Sequence, residues 1–184
     1  MSANPWKTIK KKVIYKDKYG FKLREDEVIT PSGSKGKYTV FEGRGYVVIV
    51  AINSHNQVFL VRQWRYPIEE ESLELPSGTI DKNESALKTA KRELREEVGA
   101  TSREWIDLGW HWLGNGVMKI KGYVFLALNT KVHGTSNLKD DEKLKVEKMG
   151  LNEAIENAAR GNFHDLRTQI SLLLVKNYLS YKRG

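Results

Sequence analysis

The sequence predicts an α/β protein, because strand-forming and helix-forming segments follow one another in blocks along its 184 residues. Short runs of β-branched and aromatic residues, separated by turn formers, fill residues 8–63. Residues 78–100 carry an amphipathic helix with both a start and a stop signal. The last 35 residues place apolar side chains at helical spacing. We therefore expect one sizeable core built from both strands and helices.

The first third of the chain is predicted to consist mainly of strands. Strand-forming runs lie at residues 12–15, 21–23, 27–29, 37–42, 46–52 and 57–63. Turn formers at residues 17–20, 31–34 and 54–56 separate several of them. The run at 46–52, with the sequence YVVIVAI, is nearly all apolar, which is typical of a strand buried on both faces.

The segment 78–100 is the strongest helix signal in the chain. Ser77 and Gly78 indicate a turn before it, and three side chains could cap its N-terminus: Asp81, Asn83 and Ser85. Gly99 is a typical residue after a helix C-terminus. One apolar stripe, spaced by three and four residues, would face the core: Leu87, Ala90, Leu94 and Val98.

Three carboxylates crowd a neighbouring face of the same helix, at Glu93, Glu96 and Glu97. Like charges at these spacings destabilise a helix by a few tenths of a kcal/mol per pair, at about 0.2–0.5. A hard divalent cation such as Mg²⁺, which prefers oxygen ligands, would offset this repulsion. A solvated acidic face with lysine and arginine neighbours explains the same pattern, so the helix alone leaves both interpretations open.

The same segment resembles a Nudix box. The matching positions are Gly78, Glu84, Arg92, Glu93, Leu94, Glu96, Glu97 and Gly99. Only the final bulky aliphatic position departs, because it is Ala100 here. The resemblance implies a Nudix fold, an α/β/α sandwich with a mixed central sheet. It also implies metal-dependent hydrolysis of a nucleoside diphosphate linked to another group.

Two further segments resemble the ADP-ribose and nucleoside diphosphate sugar pyrophosphatase branch. They are RQWRYP at residues 62–67 and LELPSG at residues 73–78. Residues 1–42 are similar to the N-terminal antiparallel β extension of that branch, which implies a homodimer and a Nudix domain over residues 43–184. By this resemblance Arg65 binds a substrate phosphate, Glu74 lies by the metals or the substrate, and Phe21 is the candidate for binding the substrate's base. The competing interpretation of Arg65 is a surface ion pair with residues 69–71.

The resemblance also implies the catalytic groups. The Ser77 carbonyl and the three helix glutamates, Glu93, Glu96 and Glu97, would hold two or three Mg²⁺ or Mn²⁺ ions. A polar loop at residues 131–143 carries an acidic run where the branch has its general base. Glu142 is the favoured base, and Asp141 and Glu93 are the other catalytic candidates. A solvated charge cluster is the competing interpretation of the acidic run. Arg92 is expected to be structural.

One stretch departs from the branch. Where ADP-ribose pyrophosphatases usually carry a Ser-Pro-Gly turn followed by a glutamate, this chain has Gly114-Asn115-Gly116 and then Ile120. The departure leaves substrates other than ADP-ribose open, including ADP-glucose and GDP-mannose.

Composition sets the remaining expectations. Lys and Arg number 31 against 23 Asp and Glu, a formal net charge of +8, which suits a phosphorylated substrate. Six lysines of this excess lie within residues 7–18, where a solvated lysine-rich strand is expected rather than a nucleic-acid site. Without an apolar leader or a membrane-length run, we expect a cytoplasmic protein that does not bind membranes.

Two alternative functions remain open at this stage. A Nudix hydrolase of nucleoside triphosphates or RNA 5′ ends would suit the basic charge, although the extension and the two branch segments argue against it. A nucleotide-binding module without catalysis belongs to a different class, and the presence of all three helix glutamates argues against it.

Overall fold

The chain leaves one structural unit at Gly45 and returns to it between His111 and Gly122. The computed structural model describes residues 4–134 and 144–182. The second unit comprises Tyr46–Trp110 and the chain from Tyr123 onward. The predicted boundary between residues 42 and 43 stays a prediction. The first unit includes the 111–122 segment, which the sequence had assigned to the second domain.

The first unit is built on a four-stranded sheet in the order β1-β2-β3-β10. Its strands are β1 (Lys7–Lys16), β2 (Lys22–Ile29), β3 (Lys35–Glu42) and β10 (Met118–Lys119). The pairs β1/β2 and β2/β3 are antiparallel, as expected of the extension, whereas β10 is parallel to β3.

The strands of this unit are longer than the sequence predicted. The runs at 21–23 and 27–29 belong to one strand, β2, because the charged residues between them are accommodated within the sheet. Arg24 donates from Nε to Asp26 Oδ1 at 2.7 Å and also pairs with Glu42 on β3. Strand β1 begins at Lys7, and its three central lysines lie opposite acidic residues of β2: Lys10 opposite Glu27, Lys11 opposite Asp26 and Lys12 opposite Glu25.

The second unit contains most residues of the remaining strands and the three α-helices of the described residues, and two of its strands extend into the 111–122 segment of the first unit. One sheet has the order β7-β4-β11-β9, with β7 (Ser77–Thr79), β4 (Tyr46–Ala51), β11 (Lys121–Leu128) and β9 (Glu104–Trp112). A second has the order β13-β5-β6, with β13 (Leu144–Gly150), β5 (Gln57–Arg65) and β6 (Glu70–Glu74). A short pair joins β8 (Ala100–Thr101) to β12 (Lys131–Val132).

Strand β4 lies at the centre of this unit. All six of its residues are buried, as the apolar run predicted. Val47 and Ile49 belong to a core cluster that includes Ala90 and Leu94 of helix α1 (Ala86–Val98). Successive side chains on a strand point to opposite faces, so Val48 and the other alternate residues face away from that cluster.

Two C-terminal helices complete the second unit, α2 (Leu151–Ala159) and α3 (Leu166–Tyr181). Helix α3 contacts β4, and α2 packs on α3 and on the second sheet. The α/β class with mixed sheets and helices is therefore confirmed. Within the described residues, none of the helices has the length and apolar character needed to cross a membrane.

One local prediction was wrong. Ser77 and Gly78 do not form a turn; they lie in β7 and pair with Val48 and Val47 of β4. Gly punctuates many turns, but here the strand carries a glycine because a side chain of helix α1 approaches its backbone, as described below.

Candidate active site

Helix α1 begins and ends where its sequence signals predict. Ser85 is the N-cap, and its side chain accepts a hydrogen bond from the Lys88 backbone N–H at 3.3 Å. Gly99 adopts φ = 67° after the last turn, and its N–H donates to the Arg95 carbonyl at 3.0 Å. Three residues of the predicted apolar stripe are buried, whereas Leu87 is 37% exposed and lies at the stripe's edge.

Arg92 is the hub of the helix's acidic face. Its Nη1 lies 2.7 Å from Glu93 Oε1 and 2.9 Å from Glu96 Oε2. Its Nη2 lies 3.2 Å from Glu84 Oε2 and donates to the Thr79 carbonyl at 3.3 Å. Burial opposes the charge on Arg92, but Glu84, Glu93 and Glu96 outweigh this effect and raise the arginine's pKa. Arg92 thus ties the segment between β7 and α1 to the helix.

These ion pairs change the explanation of the crowded carboxylates. The sequence suggested a divalent cation as the group that offsets their repulsion. In the structure Arg92 offsets it for Glu93 and Glu96 through an ion pair with each. The pair with Glu96 has the i,i+4 spacing that stabilises a helix. The repulsion alone is therefore no longer an argument for a cation.

Glu97 is fixed to the strand beside the helix. Its Oε2 accepts a hydrogen bond from the Ser77 backbone N–H at 2.9 Å, and the residue is only 7% exposed. Because Ser77 of β7 is paired with β4, this bond places the Glu97 carboxylate against the main chain of the sheet β7-β4-β11-β9.

Glu93 lies against the next residue of the same strand. A Cβ atom built on Gly78 would be 1.9 Å from Glu93 Cδ and 2.0 Å from Oε1. Any side chain at position 78 would therefore displace the Glu93 carboxylate. The Ser77–Gly78 backbone thus lies against Glu93 and Glu97 of the helix.

A second cluster of charged side chains surrounds Glu74, the last residue of β6. The Glu74 carboxylate, 2% exposed, accepts a hydrogen bond from Arg65 Nε at 2.8 Å and a second from Arg65 Nη2. Arg167 of helix α3 also donates to it, from Nη2 at 3.0 Å. The hydrogen bond to Glu74 raises the pKa of Arg65. A cavity of about 280 Å³ adjoins this cluster and is lined by Arg65, Glu74, His164 and Arg167 among others.

Residues 43–168 match the family model described as the NUDIX domain, which covers more than half of the chain. The chain belongs to the Nudix family. Residues 6–41 match a second model, the nucleoside diphosphate sugar hydrolase N-terminal domain. The protein is therefore a Nudix pyrophosphohydrolase of the nucleoside diphosphate sugar hydrolase family.

Relatives along most of the chain agree with this assignment. The methanol dehydrogenase activator of Bacillus methanolicus is 31% identical over 168 residues, which cover 90% of each protein. The ADP-ribose pyrophosphatase of Bacillus subtilis (strain 168) is 28% identical over 179 residues, 97% of this chain and 94% of that one. A crystal structure described as an ADP compounds hydrolase has a TM-score of 0.84 at 20% identity and covers 99% of this chain and 98% of its own, so it has the same fold.

Helix α1 and strand β7 carry oxygen ligands that suit a divalent cation. Nudix hydrolases generally use divalent metals, and the predicted ligands, the Ser77 carbonyl and the three glutamates, are all hard oxygen donors of the kind Mg²⁺ prefers. In the described part of the chain, no three acidic, histidine or cysteine side chains converge closely enough to form a metal cage. The ligand roles stay predictions.

The other predicted residues of the Nudix site are distributed as follows. Arg65 and Glu74 are brought together, and the competing expectation for Arg65, a surface ion pair with residues 69–71, is wrong because its carboxylate partner is Glu74. Phe21 lies in the first unit, with its ring centroid 6.0 Å from that of Phe41. Glu142 and Asp141 lie outside the described residues, and so does Asp140.

Sequence reasoning missed Arg167. Asp165 is the N-cap of α3, and its Oδ2 accepts a hydrogen bond from the Thr168 N–H at 3.0 Å. The link from Arg167 to Glu74 spans 93 residues, and nothing in the local pattern signals it. The one hint in the sequence was a basic residue, Arg167, in the first turn of α3, because helix N-termini favour acidic residues.

Proposed function

We propose that this Nudix pyrophosphohydrolase cleaves the pyrophosphate of a nucleoside diphosphate sugar of the ADP-ribose type, releasing a nucleoside monophosphate and a sugar phosphate. One observation carries the proposal. The five residues 74–78 contact both a candidate phosphate ligand, Arg65, and the helix carboxylates of Glu93 and Glu97. Ser77 lies three positions after Glu74, a span of at most about 11 Å, which matches the scale of a pyrophosphate group with its cations.

The helix carboxylates are the proposed cation ligands. The Ser77 carbonyl, Glu93, Glu96 and Glu97 would hold two or three Mg²⁺ or Mn²⁺ ions. Such ions supply charge neutralisation on the pyrophosphate and a lower pKa for water. Strand β7 and helix α1 fix the orientation of these ligands. The Ser77 N–H orients Glu97, and Arg92 holds Glu93 and Glu96 on the helix surface.

The remaining groups bind the substrate and handle the proton. Arg65 is proposed to bind the phosphate oxygens, because a guanidinium matches them with two parallel hydrogen bonds. Glu74 orients Arg65, and Phe21 is the candidate for contact with the nucleobase. Glu142 is proposed to orient or deprotonate the attacking water, with Asp141 and Glu93 as the other candidates.

We propose that the protein is a cytoplasmic homodimer. Strand β1 is at the edge of its sheet, and four of its apolar side chains are each more than half exposed: Ile9, Val13, Ile14 and Tyr15. Exposed apolar side chains along a sheet edge favour association with another chain. A second copy that covers β1 would account for them.

A substrate panel tests the proposal. Steady-state rates are measured with ADP-ribose, ADP-glucose, GDP-mannose, UDP-glucose, ATP and a 5′-triphosphate RNA, each with Mg²⁺ and again with EDTA. We expect kcat/KM to be highest for a nucleoside diphosphate sugar and to vanish in EDTA. The products are identified by mass spectrometry as a nucleoside monophosphate and a sugar phosphate.

The alternatives give different results in the same panel. An RNA or triphosphate hydrolase would release pyrophosphate or phosphate from ATP or RNA fastest, and its RNA affinity would fall steeply with salt. A nucleotide-binding module would bind a panel member and turn over none, with or without Mg²⁺. Either result would refute the proposal.

A further inference from the structure

The Glu74 carboxylate is shared by two guanidinium groups. Arg65 donates two hydrogen bonds to it and Arg167 donates one. One bidentate arginine already balances the charge of a carboxylate. The second partner therefore needs a reason.

The two arginines are held differently. Arg167 Nε also donates to Asp165 Oδ1 at 2.8 Å, and Asp165 is fixed as the N-cap of α3 by the Thr168 N–H and hydroxyl. Thr168 Oγ1 in turn accepts from the Leu75 N–H at 2.9 Å, next to Glu74 in the chain. Among the described residues, both hydrogen bonds of the Arg65 guanidinium go to Glu74 itself.

The anchored arginine allows the other one to move. If Arg65 were the sole counter-ion of Glu74, turning it toward a ligand would leave a buried carboxylate unpaired, which is strongly unfavourable. With Arg167 in place, Glu74 keeps a cation partner when Arg65 leaves. Both arginines line the same cavity of about 280 Å³, so Arg65 has space beside Glu74 to receive an anion.

We infer that Arg167 is a positioning residue, which holds the Glu74 carboxylate so that Arg65 can release it and bind a substrate phosphate. The inference rests on the proposed function, since the phosphate role of Arg65 is part of it. It adds a specific task for helix α3, the release of Arg65 at the moment of substrate binding.

The variant Arg167→Gln tests this task. Without Arg167, Arg65 is held as the only counter-ion of Glu74, so phosphate binding weakens. We expect the Kd for ADP-ribose in EDTA, and the KM with Mg²⁺, to rise about ten- to hundredfold. Because the reacting groups are untouched, kcat should stay within about threefold. Arg167→Lys keeps the positive charge but lacks the planar guanidinium that donates to both Glu74 and Asp165, so its Kd should lie between those of wild type and Arg167→Gln.

A double-mutant cycle with Glu74→Gln separates positioning from a merely structural role. In the Glu74→Gln background Arg65 is no longer held by a charge, so adding Arg167→Gln should change Kd by less than about twofold. If Arg167 only stabilised the start of α3, its loss would weaken binding equally in both backgrounds. Arg160→Gln is the matched control, because Arg160 is exposed and its ion pair is with Glu156 on α2.

Calorimetry with ADP-ribose in EDTA decides the matter without turnover. A Kd for Arg167→Gln within twofold of wild type, an equal loss in both backgrounds, or a wild type that does not bind ADP-ribose would overturn the inference. If Arg167→Gln does not fold, Arg167→Lys takes its place in the cycle. The inference is then overturned if Arg167→Lys binds ADP-ribose as tightly as wild type and Glu74→Gln/Arg167→Lys binds it more weakly than Glu74→Gln. A wild type that binds ADP-ribose but does not hydrolyse it with Mg²⁺ refutes only the proposed function.

Discussion

The Glu93 side chain fills the space that a side chain on Gly78 would need: a Cβ atom on Gly78 would lie 1.9 Å from the Glu93 Cδ and 2.5 Å from its Cγ. The glycine that precedes the helix by several residues is thus explained by a side chain within the helix. Because the clash is with a flexible side chain, the strand can keep its position while the carboxylate cannot.

The first prediction follows from this contact. Gly78→Ala should force Glu93 to rotate away and lower kcat by about a hundredfold or more, since misplacing a site group by about 1 Å costs that much. The free energy of unfolding should fall by less than about 2 kcal/mol, measured by urea denaturation. Gly36→Ala is the control, because its nearest neighbour would be Thr30 Cγ2 at 3.6 Å. A Gly78→Ala enzyme with over half of the wild-type kcat would contradict a role for Glu93.

The second prediction concerns the acid side of stability. Burial opposes ionisation of Glu84, but hydrogen bonds from Thr89 and Arg92 outweigh it, so its pKa lies below the ordinary 4.5. A lowered pKa stabilises the fold above the unfolded-state value, and this stabilisation is lost as pH falls through the folded-state value. The free energy of unfolding of wild type minus that of Glu84→Gln should therefore be constant near neutral pH and shrink below about pH 4.5.

Urea denaturation between pH 3 and pH 7, at roughly half-unit steps, measures this difference. Glu156→Gln serves as the control, because Glu156 is exposed on α2. A wild-type advantage that stays constant down to pH 3 would show that Arg92 and Thr89 do not favour the ionised form of Glu84.

The sequence was sufficient to predict features that depend on local spacing. Ser85 and Gly99 lie at the two ends of helix α1, so the local pattern is enough to predict them. The buried strand at 46–51 is likewise signalled by an uninterrupted apolar run.

Features that depend on distant pairing could not be predicted. Residues 77–78 are a strand only because β4, about thirty residues earlier in the chain, supplies the hydrogen-bond partners. The charged middle of β2 was not predicted as part of a strand, because the partner that links Arg24 to the rest of the sheet, Glu42, lies on β3. Arg167 meets Glu74 across 93 residues. In each case the partner that decides the local structure lies outside any window a pattern can scan.

The third prediction concerns assembly. If the extension exchanges between subunits, removing residues 1–42 should leave insoluble or unfolded protein, because apolar surface becomes exposed. The truncation also removes β3, the partner of β10. Sizing with light scattering should report a dimer for the full chain. A soluble, active and monomeric truncation would refute the exchange.

The fourth prediction concerns the general base. Glu142→Gln should lower kcat by roughly 10²–10⁴, the usual contribution of a general base, while KM and metal affinity stay near the wild-type values. Asp140→Asn, in the same acidic run, is the matched control. If Glu142→Gln turns over almost as fast as wild type while Glu93→Gln is inactive with its metal still bound, the base is on helix α1.

The central claim is that the carboxylates of α1 hold the cations that hydrolysis requires, and Glu97→Gln tests it most directly. A glutamine can still accept the Ser77 N–H hydrogen bond that Glu97 accepts at 2.9 Å, so the fold should survive, as circular dichroism and urea denaturation will report. Glu156→Gln removes an exposed helical glutamate and should keep full activity.

The measurement is the rate of nucleoside monophosphate release from ADP-ribose, or from the best substrate of the panel, in saturating Mg²⁺. We predict that Glu97→Gln is slower than wild type by about a thousandfold or more, because a primary cation ligand is lost. A folded Glu97→Gln enzyme that retains more than about a tenth of the wild-type rate would contradict the account.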